Sequence, residues 1–323
     1  MKKFFGFACL LLVPATASAH VKWFVDSAAV TAARHGEEPF YYLTSAEVVA
    51  WSAIGFLLVV VAALLSRVLP EPRAVAAFAA RNRRAINRAA QAVLGLFLVT
   101  VALVWNLVLV PEFPVTGGWS TWLWAAQIIS GLMLIANVWP RVGAAILVAL
   151  HLAVGVEVGF AALAENVLLA GLAFYFLVND SPARSPLRRL DRYGVEVVRI
   201  SVGVSLIVLA LTEKLMYPEL SLAFLGNHGW NFMPALGFDW FTDKLFVLST
   251  GFVELVFGVV FILGYVTRIN TATIAAFFAA SVVTMLVQVG AWEVEDLAVY
   301  SAAIILLAFG AGPTRFFCKK DCR

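Results

Sequence analysis

Charge is what this sequence has least of. Asp, Glu, Lys and Arg together make up 13% of its 323 residues, while 62% are hydrophobic. An ordinary soluble domain has about twice that share of charge and about 45–50% apolar residues. With a mean hydropathy of +0.91, the chain has more apolar surface than a water-soluble fold can bury, so its solvent is lipid. The net charge of +3 leaves no basic excess for a nucleic-acid partner. Histidine is sparse at four residues and cysteine at three. Glycine and proline interruptions inside the apolar runs are also few, which argues against the broken helices that solute sites use.

What the sequence has is long apolar runs. The first, in "MKKFFGFACLLLVPATASA", is too short to span a bilayer, which takes about 20 residues. Its basic start and small-residue ending mark residues 1–19 as a cleaved secretory signal. The mature chain then begins at His20, with residues 20–44 outside the membrane. Spanning runs follow at 45–66, 89–110, 120–138, 142–163, 164–178, 196–217, 245–264, 270–290 and 296–311. The expected fold class is therefore an all-α polytopic membrane protein of about nine transmembrane helices. Basic residues sort 17 to 4 between the two sides, apart from Lys2 and Lys3 of the signal. By the positive-inside bias this sets the mature N-terminus in the periplasm and the C-terminus in the cytoplasm of a bacterial inner membrane. Residues 67–88 then form a basic cytoplasmic loop, 179–195 a cytoplasmic linker and 313–323 a cytoplasmic tail.

After the first helix the chain repeats itself. "LVLVPEF" from Leu107 matches "KLMYPEL" from Lys214 at an offset of 107 (Pro218 against Pro111). "ISGLMLIANVWPRVGAAILVAL" matches "VFGVVFILGYVTRINTATIAAF" at an offset of 127 (Arg268 against Arg141). Residues 89–178 and 196–312 thus read as two tandem four-helix units inserted in parallel, with about twenty extra residues in the second outer loop. At these offsets Glu213 falls on Asn106, Lys214 on Leu107 and Glu254 on Gln127. An amide keeps hydrogen bonding and loses charge, so the ionic chemistry is expected in the second unit.

Glu254 lies near the middle of its run, roughly 14 Å from either end. An ionisable group there costs about 2.5–3.5 kcal/mol on insertion scales, and is normally paired, neutralised or useful. Lys214 has two readings, a side chain reaching up to headgroups or one bent inward to Glu254. Glu213 points about 100° away from Lys214 around the helix, so the two do not face one partner equally. Glu254, Lys214 and Glu213 are the candidate catalytic residues. His151 is also near mid-membrane, where it either bonds a neighbouring carbonyl or takes part in proton transfer or cofactor contact. Glu157, Glu165, Glu293, Glu295 and Asp296 read as solvated edge residues.

Cleavage after Ala19 would pair the His20 amine with its imidazole, a chelate suited to copper. His35 and His228 fall on the same side and are the candidate further ligands, although no fixed spacing ties the three together. The alternative is a plain terminus followed by "VKWF" at the interface. Cys9 leaves with the signal, and Cys318 and Cys322 sit in "CKKDC" where thiols stay reduced.

The second unit resembles the DoxX family of bacterial membrane proteins. The resemblance rests on "RISVGVSLIVLALTEKLMYP", "VELVFGVVFILGYVTR" and a last helix ending in "GAGPTRF", over about residues 199–316. Residues 88–178 resemble a degenerate copy that departs at Leu107 and Gln127. The resemblance puts Lys214, Glu254, Arg268, Gly310 and Gly312 at recurrent positions; Arg268, like His151, is a candidate for cofactor contact. It implies a four-helix membrane bundle and a quinone-dependent redox system, often beside a soluble partner; the partner expected for this chain is a periplasmic or membrane protein. A quinone-interacting redox subunit is therefore the expected function. The alternatives are a small-solute transporter and a non-enzymatic scaffold or maturation factor presenting Trp230, Phe232 and Trp240 to a partner, unless those aromatics form a membrane-surface belt.

Overall fold

The computed structural model of the protein describes residues 45–69, 72–179, 186–288 and 296–312. The signal segment 1–19, His20, His35, Glu293, Glu295, Cys318 and Cys322 lie outside the described residues. All regular structure among the described residues is helical apart from one isolated bridge, Leu107 to Pro114. Helix α1 spans Ala46–Val68, α2 Arg73–Arg81, α3 Arg83–Trp105, α4 Trp119–Ala136 and α5 Pro140–Val158. A short α6, Phe160–Glu165, leads into α7, Val167–Val178. Helix α8, Gly194–Leu209, continues as a π-helix over Ala210–Leu215. Then come α9, Pro218–His228, α10, Asp243–Leu263, α11, Thr267–Gln288, and α12, Asp296–Phe309.

Among the described residues six helices are long and apolar enough to cross a membrane: α1, α3, α4, α5, the stretch through α8 and its π-helix, and α10. Shorter apolar segments lie in α7, α11 and α12. Large side chains such as Phe56, Leu57, Val104, Trp122, Val156 and Val287 are exposed. On a water-soluble protein they would be an aggregation surface. In a polytopic membrane protein they are the lipid face. Residues 67–88, expected as a basic cytoplasmic loop, include the end of α1, all of α2 and the first turns of α3.

The helices close into a ring. Helix α3 packs against α4, α4 against α5, α5 against α7, α7 against α8, α8 against α10, α11 against α12, and α12 back against α3. Contact between α10 and α11 is sparse. The two four-helix sets therefore do not have separate cores. Leu94 and Leu98 of α3, Leu172 of α7, Leu206 of α8 and Ile305 of α12 belong to one continuous cluster. Hydrogen bonds also join the sets, among them Ser301 Oγ to Ala90 O at 2.8 Å and Leu168 N to Ser205 Oγ at 3.1 Å. Helix α1 lies outside the ring against α10. Its Ser66 Oγ accepts a 2.7 Å hydrogen bond from Val266 N.

The two four-helix sets match at several points in three dimensions. Helices α3 and α4 cross where Gly95 meets the carbonyl of Gly131, and α8 and α10 where Gly203 meets that of Gly258. A Cβ on Gly95 would lie 2.5 Å from that oxygen, and one on Gly203 2.7 Å. Only glycine permits so close an approach. The turn after each crossing has two left-handed residues at matching places, Asn137 and Trp139 in the first set, Gly264 and Val266 in the second. The next helices are tied at matching positions, by Ser130 Oγ to Gly143 O at 2.8 Å and by Asn270 Nδ2 to Phe257 O at 3.2 Å. The crossing also corrects the register. Gly203 against Gly95 is an offset of 108 within the helix, so Lys214 falls on Asn106 and Glu213 on Trp105. The offset of 107 holds only beyond the helix ends.

Candidate functional site: a buried ion pair at a helix break

The two sets differ most at the end of their first helix. Helix α3 stops at Trp105, where Asn106 turns left-handed (φ 54°). Helix α8 instead widens into its π-helix, closed by Met216 N to Leu211 O at 2.8 Å. The run expected as a single regular helix over 196–217 is thus remodelled in its last turns. A π segment offsets side chains from the regular helical face, and this one carries Glu213 and Lys214, both buried.

Lys214 bends inward. Its Nζ lies 3.0 Å from both Oε1 and Oε2 of Glu254, in the middle of α10. Of the two sequence readings, the snorkelling one is excluded. Gly251, one turn before Glu254, makes room for this: a Cβ there would lie 3.0 Å from Lys214 Cβ and 2.8 Å from Leu215 Cδ2. Glu213 is fully buried, and its backbone carbonyl accepts a 2.9 Å hydrogen bond from Ser221 Oγ of α9. On one side Glu254 borders a cavity of about 20 Å³, walled by Thr250, Phe257, Ile274 and Phe278 among others. That is room for about one water molecule.

In the first set the same place is neutral. Gln127 is fully buried, accepts from Leu109 N at 2.9 Å and donates to Leu98 O at 2.9 Å. Leu109 has φ 62°, a costly conformation for a residue with a side chain. Gln127 holds that strained loop where Glu254 holds a lysine.

The other candidates lie apart from the pair. His151 is buried in α5, which packs on α4 and α7, and its Nδ1 has no hydrogen-bond partner. The expected carbonyl bond is therefore not made at that atom. Arg268 donates from Nε to Leu307 O at 2.9 Å and from Nη2 to Ala308 O at 3.0 Å, which caps α12. Arg141, its counterpart, reaches Asn179 O at 3.3 Å, at the end of α7. The guanidinium of Arg268 thus serves a helix end. His228 is the last residue of α9. Among the described residues no group of three or more potential metal ligands occurs.

Two assignments made from sequence are corrected by burial. Glu165 and Asp296, expected at a solvated edge, are 4% and 2% exposed. Trp230 sits in a compact cluster with Leu220, Phe224 and Phe246, and stacks edge-on against Phe224 at 5.2 Å. Trp240 is exposed.

Sequence reasoning missed Arg199, one of the 17 basic residues sorted to the inner side. It is fully buried in α8, where Nε donates to Ala311 O at 2.9 Å and Nη1 to the carbonyls of Phe261 and Ile262. It thereby ties the ends of α10 and α12 to α8. The available signal was Glu196 one turn before it, 3.8 Å away in the fold.

No protein-family model matches the chain, and no curated protein or solved structure is significantly similar to it. Fold and composition define the class, an α-helical polytopic membrane protein.

Proposed function

We propose that the protein is a DoxX-like, quinone-interacting subunit of a bacterial inner-membrane redox system. In this reading nine helices cross the bilayer as one leading helix and two four-helix repeats, with the mature N-terminus periplasmic. The observation that carries the reading is the Lys214–Glu254 pair, buried in the second repeat at a helix break and neutralised in the first. Such a pair is costly in lipid and is kept where it is used.

Glu254 would accept one proton from a quinol hydroxyl, the second proton leaving to water, while the two electrons pass to an oxidised redox partner protein and the quinol becomes quinone. Lys214 holds the carboxylate in position. Entry is through the sparse seam between α10 and α11, whose apolar wall of Phe257, Ile274, Phe277 and Phe278 suits a quinone ring. The compact outer loop around Trp230, with Trp240 exposed, is the surface offered to the partner.

The small size of the cavity favours a second reading, a membrane scaffold in which the pair only orders helices. A quinone ring needs far more than 20 Å³, so α11 must move away from α10 to admit it. Quinone content of protein gently purified from native membrane separates the two. Near-stoichiometric quinone in the wild type, lost in the charge-free double variant Lys214→Met/Glu254→Gln, is the expected result. No quinone in either protein overturns the redox reading and leaves the scaffold.

A further inference from the structure

A cavity far larger than the one at the ion pair lies elsewhere in the fold. It lies at the other end of the first repeat, where α3 and α5 begin and α4 and α7 end, and has a volume of about 840 Å³. Arg84, Arg88, Arg141 and Arg188 line it, against a single carboxylate, Asp191. Asp191 is already paired with Arg83 at 3.0 Å, and the Asn179 carbonyl is taken by Arg141. Arg84, Arg88 and Arg188 have no ion pair among the described residues. At the inner wall stands Gln91, 6% exposed, whose Oε1 has no hydrogen-bond partner.

The second repeat shows what this place looks like when filled. At the helix offset of 108 set by the crossing glycines, Gln91 corresponds to Arg199 and Arg88 to Glu196. Arg199 occupies the equivalent space with its guanidinium and bonds three carbonyls there, with Glu196 beside it. The first repeat has replaced that internal cation by a shorter neutral amide and the acid by an arginine. It has therefore emptied the space and reversed the sign of its rim.

We propose that this cavity binds a phosphate-bearing anion, either a phospholipid headgroup or soluble phosphate. Guanidinium groups pair with phosphate oxygens in a planar, bidentate fashion, and basic pockets between membrane helices take anionic headgroups. Gln91 supplies a neutral hydrogen-bonding group at the floor, able to meet a phosphate oxygen through its amide or a headgroup hydroxyl through its carbonyl. An apolar path of Ile135, Val138, Trp139 and Val142, all exposed, leads from the rim along α4 and α5. That path fits acyl chains and sets the lipid ahead of the free ion.

The test uses full-length protein purified in neutral detergent and stripped of lipid. One arm counts bound phosphatidylglycerol against phosphatidylcholine by native mass spectrometry. The other follows thermal unfolding in inorganic phosphate against chloride at equal ionic strength. Two variants are compared with wild type. Arg84→Gln/Arg88→Gln removes exposed charges and should weaken binding about thirtyfold, at about a factor of five per basic residue. Gln91→Arg adds a charge but fills the space as Arg199 does, and should abolish binding. Selective retention of phosphatidylglycerol, lost in both variants, assigns the site to lipid. Stabilisation by phosphate alone, lost in both, assigns it to the soluble anion. If Gln91→Arg binds as tightly as wild type, attraction to surface charge explains the binding and the cavity site is refuted. Equal behaviour of all three proteins refutes it too.

Discussion

The two repeats share a scaffold and use opposite means to stabilise it. In the first, buried polar links are neutral: Gln127 holds the strained loop at Leu109, Ser130 ties α4 to α5, and the space beside Gln91 is left open. In the second, two of those three places carry charge, since Glu254 holds Lys214 and Arg199 fills the helix ends, while the link matching Ser130 stays neutral at Asn270. A neutral link loses little when cut, because each partner retains only a modest desolvation penalty. A charged link leaves a buried ion behind. The comparison therefore predicts that polar substitutions in the second repeat are far more damaging than their counterparts in the first.

The largest difference is expected at Arg199. Replacing it by Met strands three carbonyls and Glu196, and should cost about 3–5 kcal/mol, seen as protein that fails to accumulate in the membrane or melts early in detergent. Arg199→Lys should recover little, since a compact ammonium does not reproduce the guanidinium's spread of donors. Gln91→Leu, at the same place in the first repeat, should change stability by less than about 1 kcal/mol. Equal losses at the two positions would break the comparison.

Next comes the ion pair itself. Glu254→Gln leaves Lys214 buried without its carboxylate and should lose about 3–5 kcal/mol, whereas adding Lys214→Met should restore most of it. The converse change, Gln127→Glu, removes the donor to Leu98 O and should cost about 1–3 kcal/mol. Chemical denaturation in detergent measures all three. A double variant as unstable as Glu254→Gln alone would show that the two side chains do not act as a pair.

The crossing glycines should behave alike in both repeats, which sharpens the comparison from the other side. Gly95→Ala and Gly203→Ala each push a methyl group into a carbonyl of the facing helix, and overpacking of this kind costs about 1–3 kcal/mol. Matching losses would confirm that the scaffold is common and that only the polar links differ.

How much of this could be read from the residues follows from the kind of signal each feature leaves. Helix positions were legible because about 20 apolar residues in a row have few other uses, and the repeat because "PRV" and "TRI" mark the same turn. Glu254 was legible as a charge where lipid leaves none. The inward turn of Lys214 was not, because it depends on a π-helix that no local pattern announces. Arg199 was misplaced because arginine close to a predicted span end reads as a loop residue, and only the fold reveals the carbonyls waiting for it. Register slipped by one because the proline after the helix, not the glycine inside it, was used to align the repeats. Burial of Glu165 and Asp296 is a property of the ring, which no single helix displays.

The smallest effect tests the finest level of the repeat. Ser130 Oγ donates to Gly143 O, and at the matching positions Asn270 Nδ2 donates to Phe257 O, so the link is kept while its direction is reversed. Interhelical hydrogen bonds in membrane proteins contribute about 0.6 kcal/mol on average and at most about 1.7. Ser130→Ala and Asn270→Ala should therefore each cost roughly 0.5–1.5 kcal/mol, with the asparagine nearer the upper end because more side chain is removed. Both links join the second and third helices of their repeat, but α4 and α5 pack closely while α10 and α11 scarcely touch. Loss of Asn270 should then loosen the α10–α11 seam beyond its effect on stability. Faster hydrogen exchange along α11 in Asn270→Ala, with no matching change along α5 in Ser130→Ala, is the expected signature. Equal exchange in the two variants would mean that the seam beside Glu254 is held by something other than this bond.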